Sequence, residues 1–195
     1  QKKMNKRIQS RLRAAHLRGC PQELSNCIDS AEREYLPRGI TETLAALDFI
    51  DSGLNVCILG PSDSGKSYLA KALGIVACNN YKVEYHHCET LLETLVALKA
   101  QDYSKYQKRL KKICGAALLI LDDFLLHTIT DEREVKVLFE ILEKRCEINL
   151  STIICSQREP ASWSSMILND EVSANAILKR ATKHYTVVIK PNITD

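Results

Sequence analysis

A chain of 195 residues, 45% hydrophobic and 26% charged, has the balance of an ordinary folded domain and room for one α/β core with a small appendage. Its formal net charge of +3 is too slight to decide for or against a polyanionic partner. No apolar run is long enough to cross a bilayer, and the start of the chain lacks a signal peptide's apolar core, so a soluble, cytoplasmic protein is expected.

In chain order, Gln1 to about Arg18 carries Lys2, Lys3, Lys6, Arg7, Arg11, Arg13 and Arg18 with no acidic residue. Ile8, Leu12 and Ala15 recur at helical spacing, which predicts a basic helix with a narrow apolar stripe. Pro21 interrupts it, and a second helix is expected over 22–35. The turn Pro37-Arg38-Gly39 then separates a basic helical segment, residues 1–39, from a main domain, residues 40–195. The chain opens on Gln1 rather than Met, as a piece of a longer protein would.

After a short helix over 41–48, strand and helix alternate, the pattern of a parallel sheet covered on both faces. Strands are expected at 55–59, 82–87, 116–121, 151–156 and 184–189, and helices at 66–79, 88–100, 103–113, 131–147 and 171–181. The run Ala116 to Leu121 is continuously apolar, as a strand buried on both faces should be. The fold class is therefore α/β with a five-stranded parallel sheet. The eight cysteines contain no C-x-x-C pair, and a reducing compartment keeps them free thiols. His86-His87-Cys88 does not read as a metal site, because strand neighbours point to opposite faces.

The chemistry is concentrated after the first of these strands. Gly60-Pro61-Ser62-Asp63-Ser64-Gly65-Lys66-Ser67 fits G-x-x-x-x-G-K-[ST], between the apolar strand Asn55 to Leu59 and the helix that Tyr68 enters. Glycines let such a loop turn its N–H groups toward phosphate oxygens, and the helix N-terminus adds partial positive charge. Lys66 is placed to reach the β- and γ-phosphates of ATP, and Ser67 to ligate Mg²⁺. Asp122-Asp123 ends the apolar strand, at the sheet edge where ligands bind; Asp122 reads as the Mg²⁺ carboxylate and Asp123 as the residue that orients or deprotonates water. Ser156-Gln157 ends the next strand and offers a polar group to the γ-phosphate or water. Arg180, at a helix end, reads either as a solvated cation or as an arginine finger for a neighbouring subunit.

Taken together, Gly60 to Gly74, Leu118 to Phe124, Ser151 to Gln157, Trp163 and Ala176 to Arg180, with Leu47-Asp48-Phe49-Ile50 upstream, resemble the AAA+ helper ATPases of bacterial insertion sequences, the IstB family, kin of the helicase loader DnaC. The resemblance covers residues 41–190. It implies a P-loop AAA+ core and an ATPase that assembles on duplex DNA and assists a transposase in choosing target DNA. It also implies homo-oligomers with ATP between subunits, which makes Arg180 the trans finger and Ser156 the nucleotide-sensing residue. Asp63 stands where the family usually has glycine, Leu125 replaces the glycine common after Asp-Asp-Phe, and Lys179 replaces an acidic residue.

Two basic surfaces are candidates for DNA phosphates: the first helix, and Lys105, Lys108, Arg109, Lys111 and Lys112 with Tyr103 and Tyr106 interleaved. The first helix could instead dock a partner subunit or the transposase; its thin stripe has no aromatic anchor for a membrane. A helicase loader and a nucleotide-gated scaffold with little hydrolysis are the rival readings. A small-molecule kinase would need an arginine-rich lid that the sequence lacks.

Overall fold

The computed structural model describes residues 2–167 and 171–192. Its helices are α1 (Lys2–Ala14), α2 (Ile40–Ala45), α3 (Asp48–Asp51), α4 (Lys66–Ala77), α5 (Cys88–Gln101), α6 (Tyr103–Cys114), α7 (Glu132–Glu147) and α8 (Glu171–Thr182). The strands are β1 (Arg33–Leu36), β2 (Asn55–Leu59), β3 (Val83–His87), β4 (Leu118–Asp122), β5 (Ser151–Ser156) and β6 (His184–Pro191). They form one sheet in the order β1-β6-β2-β5-β4-β3.

From β6 to β3 every pairing is parallel, whereas β1 lies antiparallel on β6. The sheet thus has six strands among the described residues, not the expected five. The extra strand comes from the segment expected to be a helix over 22–35. There the chain makes only a short 3-10 turn, Leu24–Asn26, before entering β1. Asp29 Oδ1 accepts the Tyr35 N–H at 2.8 Å and the Ser30 N–H donates to the Arg33 carbonyl, so local polar groups compete with helix formation. Pairing of Tyr35 with Ile189 buries the tyrosine to 3% exposure. α1 also stops at Ala14, short of Arg18.

Strand alternation divides the core into two layers. Val56, Ile58, Leu118, Ile120 and Ile153 face the side covered by α2, α3 and α4, where Ala15, Leu17 and Cys27 are also buried. Cys57, Leu59, Leu119, Leu121 and Ile154 face α5, α6, α7 and α8. This explains the continuous apolar runs read in the sequence. All eight cysteines are free thiols, and burial raises Cys57 and Cys88 to about 12, so both are protonated hydrophobes. No helix of the described residues is long and apolar enough to cross a membrane.

One buried cation ties the second layer together. Arg145, 1% exposed, donates to the carbonyls of Ile113, Cys114, Ala116 and Ser151 and to the Thr152 hydroxyl. It thereby joins the end of α6 to α7 and β5, satisfying backbone acceptors that would otherwise be buried unpaired.

Candidate nucleotide-binding site

The parallel topology brings the ends of β2, β3, β4 and β5 to one edge of the sheet, where the phosphate loop, His87, Asp122-Asp123 and Ser156-Gln157 emerge. The loop Gly60 to Gly65 is compact. A Cβ on Gly60 would stand 2.6 Å from Ser64 Oγ and 2.7 Å from the Ile189 carbonyl, so only glycine allows that approach. Gly65 caps α4 at φ +104°. Lys66 opens α4, and its ammonium donates to the Pro61 carbonyl at 2.6 Å across the loop. Burial pulls the Lys66 pKa below its usual value, opposed by Cys155 and by the carboxylates of Asp122, Asp123 and Asp63.

The acidic pair is split by environment. Asp122 is fully buried and accepts from the Tyr85 hydroxyl and, at 3.0 Å, from the Asp123 N–H. Burial and the adjacent Asp122 carboxylate raise the Tyr85 pKa, so the phenol remains a donor. Asp123 is half-buried, adopts φ +52°, and pairs with His87 Nδ1 at 3.1 Å. One ligand atom each from His87, Asp122 and Asp123 lies within a 4.8 Å set. A hydroxyl from Ser67 with these carboxylates is the hard oxygen donor set that Mg²⁺ takes, and on chemistry the residues fit that ion.

A cavity of about 530 Å³ at this edge is lined by Ser62, Asp63, Gly65, Lys66, Ser67, Tyr68, Asp123, Phe124, Leu126, Gln157 and Arg33. Most of the candidates read from the sequence therefore meet in one place. Ser156 does not line it: its hydroxyl donates to the Phe124 carbonyl at 2.8 Å and accepts the Arg158 N–H at 3.0 Å, and Gln157 faces the cavity instead. Trp163, fully buried, packs edge-on against Phe124 and so backs the segment that carries the acidic pair. The Tyr68 hydroxyl accepts from the Glu23 N–H and from Asn26 Nδ2, fastening the N-terminal segment to the phosphate-loop helix.

Sequence reasoning missed two members of the site, Arg33 and His87, and gave a third, Gln157, only as part of the Ser156-Gln157 strand end. Arg33 belongs to β1, whose register opposite Pro191 brings it to the same sheet edge; its guanidinium donates to the Ser64 carbonyl at 3.3 Å. No periodicity in 22–35 signals that. His87 was discounted with His86 because they face opposite ways. They do, but each joins its own cluster. Gln157 was visible only as the neighbour of Ser156.

Arg180 lies elsewhere. It is exposed near the end of α8, and its carbonyl accepts from Asn55 Nδ2 at 3.2 Å. Asn55 begins β2, whereas the phosphate loop follows the end of β2. The two features occupy opposite edges of the sheet.

Asp63 and Leu125, the two positions noted for lacking glycine, both adopt left-handed backbone, at φ +59° and +53°. Asp63 is exposed, lines the cavity, and lies close enough for its carboxylate to act on the Lys66 ammonium. We expect Asp63→Gly to tighten ATP binding about fivefold, the equivalent of ~1 kcal/mol of relieved repulsion, with the gain shrinking as salt rises. Titration of a fluorescent ATP analogue at low and high salt checks this; unchanged affinity at both would mean that the carboxylate points away.

Among known proteins, the family described as IstB-like ATP binding protein matches residues 1–192. An insertion sequence ATP-binding protein of Sinorhizobium fredii is 41% identical over 177 residues, covering 90% of this chain and 68% of the relative. The insertion sequence IS21 ATP-binding protein of Pseudomonas aeruginosa is 32% identical over 154 residues, covering 78% of this chain and 56% of that one. The chain thus spans between about half and two thirds of the relatives' length. Of solved structures, the DnaC helicase loader superposes with a TM-score of 0.67 at 18% identity, covering 87% of this chain and 97% of that one. The replication initiator DnaA bound to AMPPCP and single-stranded DNA gives 0.69 at 20% identity, covering 88% and 50%. At these identities the structures establish a shared P-loop AAA+ fold.

Proposed function

Since the chain belongs to the IstB-like ATP-binding protein family, we propose that it is the Mg²⁺-dependent ATPase of a DNA transposition system. In this reading it assembles on duplex DNA in the cytoplasm and helps a transposase select its target. The observation that carries the proposal is the convergence of Lys66, Ser67 and Asp123 on one cavity, with Asp122 buried beside them, in a chain related to insertion-sequence proteins.

The proposal gives each residue a role. Backbone N–H groups of the loop and the start of α4 hold the phosphates, and Lys66 exchanges its bond to Pro61 for the β- and γ-phosphate oxygens. Ser67 and Asp122 would hold Mg²⁺, which would supply positive charge to the γ-phosphoryl oxygens. Asp123 orients the attacking water and takes its proton as the bond to the leaving ADP breaks. To do so it must give up its pairing with His87. Ser156 links the acidic segment to β5 through the Phe124 carbonyl, so nucleotide contact at Gln157 is passed to Asp123. Arg180 of one subunit completes the site of the next, stabilising charge on the γ-phosphate.

Steady-state ATP turnover with and without duplex DNA tests the reading, with Lys66→Ala as the blank. Stimulation of several-fold by duplex is the expected result. Turnover absent in both conditions, with ATP still bound, would replace the ATPase with a nucleotide-gated scaffold.

A further inference from the structure

Opposite the nucleotide face of β3 lies a second cluster of charge. β3 is an edge strand, paired with β4 alone among the described residues. Its side chains alternate between two tasks. Tyr85 and His87 reach the acidic pair, while Glu84 and His86 face the other way, toward α6 and the end of α1. Glu84 is 2% exposed, and its carboxylate gathers three nitrogens: His86 Nε2 at 2.6 Å, Lys112 Nζ at 3.2 Å and Arg109 Nη2 at 3.3 Å. Burial alone would raise the Glu84 pKa, but these partners hold it below its usual value.

The basic helix α1 is packed onto the same place. Arg11 donates to the carbonyls of Asn79 at 2.6 Å and Cys78 at 3.3 Å, at the end of α4, and His16 stacks edge-on against His86 at 5.5 Å. A cavity of about 340 Å³ opens between Arg11, Lys82, Lys111 and Lys112, with Glu84 in its floor. A second, of about 500 Å³, is lined by Arg109, His16, His86, Lys71 and His87. The two basic segments that look separate in the sequence therefore meet at the first cavity, through Arg11 on one side and Lys111 and Lys112 on the other. Glu84, already neutralised, is its sole carboxylate among the described lining residues.

His16, Glu84 and His86 also have metal-ligand spacing, with ligand atoms inside 4.8 Å. A divalent cation is disfavoured there because Arg109 and Lys112 already compensate Glu84. The His16 pKa is lowered by desolvation and by the nearby His86, Arg109 and Lys112, against the pull of Glu84, so the cluster offers a further cation little attraction. It is suited to an extended anion.

We propose that this cleft between α1 and α6 seats the phosphate backbone of duplex DNA, and that β3 is the element it shares with the catalytic acids. The inference rests on the reading of the chain as a DNA-dependent ATPase and says where the DNA lies. Spaced lysines and arginines on separate elements neutralise successive phosphates without reading bases. A duplex held there presses on the strand whose opposite face holds Asp122 and Asp123.

The test is fluorescence anisotropy of a labelled random-sequence duplex, titrated with the full chain over a range of salt, for the wild type and Lys111→Ala/Lys112→Ala. The double variant should bind about tenfold more weakly, with a log-log salt slope reduced by about two, and hydrolyse ATP without DNA at the wild-type rate. Wild-type binding with no loss of affinity or slope in the variant overturns the cleft and leaves the proposed function standing. A wild type that binds no duplex at any salt overturns that function itself. If the variant keeps its duplex affinity but no longer binds labelled oligoglutamate, the cleft takes an acidic protein segment, and the proposal fails.

Discussion

Lys66→Ala raises the ATP dissociation constant by about 100-fold or more, the loss of charge-assisted bonds to phosphate worth ~3 kcal/mol. Lys66 is the first residue of α4, at the mouth of the loop, and is 8% exposed. Its bond in the protein is to the Pro61 carbonyl inside the same loop, so truncation leaves the sheet and both core layers intact. Isothermal titration measures the affinity, and a thermal melt within a few degrees of wild type confirms the fold. Wild-type affinity in a folded variant would remove the cavity at this sheet edge from consideration.

Arg180→Ala should leave ATP affinity of the isolated subunit within about twofold, yet lower turnover by about 1,000-fold, the scale of a lost arginine finger. Affinity is spared because Arg180 lies at the edge of the sheet opposite the phosphate loop of its own chain. Mixing is the decisive experiment. In an equimolar mixture of Lys66→Ala and Arg180→Ala chains, about a quarter of shared sites pair an intact loop with an intact finger. Turnover should reappear on mixing two inactive proteins. Silence in the mixture, or full activity of Arg180→Ala alone, would sink the shared site.

What could be read in the sequence was what local pattern determines. The apolar runs of β2, β4 and β5 are buried on both faces, so their residue types alone reveal strands. The phosphate loop is contiguous, and its glycines answer to close approach and positive φ. Asp122 and Asp123 follow from their place at the end of β4. β1 could not be read this way: it is four residues long, buries Tyr35 alone, and exists because β6, some 150 residues later, offers it an edge. Arg33 was lost with it. The choice between Ser156 and Gln157 depends on which side of a strand end faces the cavity, and that is set by the Phe124 carbonyl rather than by spacing. The shared cleft of α1 and α6 was hidden for a related reason, since nearly a hundred residues separate helices that meet on β3.

The placement of Arg180 and the phosphate loop at opposite ends of β2 has a consequence for symmetry. A two-fold dimer uses the same patch on both partners, so a finger and the loop it serves would have to share one surface. Here they cannot. In the proposed shared-site assembly this favours subunits stacked head to tail, each offering its loop forward and its finger back. Such an arrangement closes into a ring or winds on as a helix according to the rotation per step, and one free loop and one free finger remain wherever it stops.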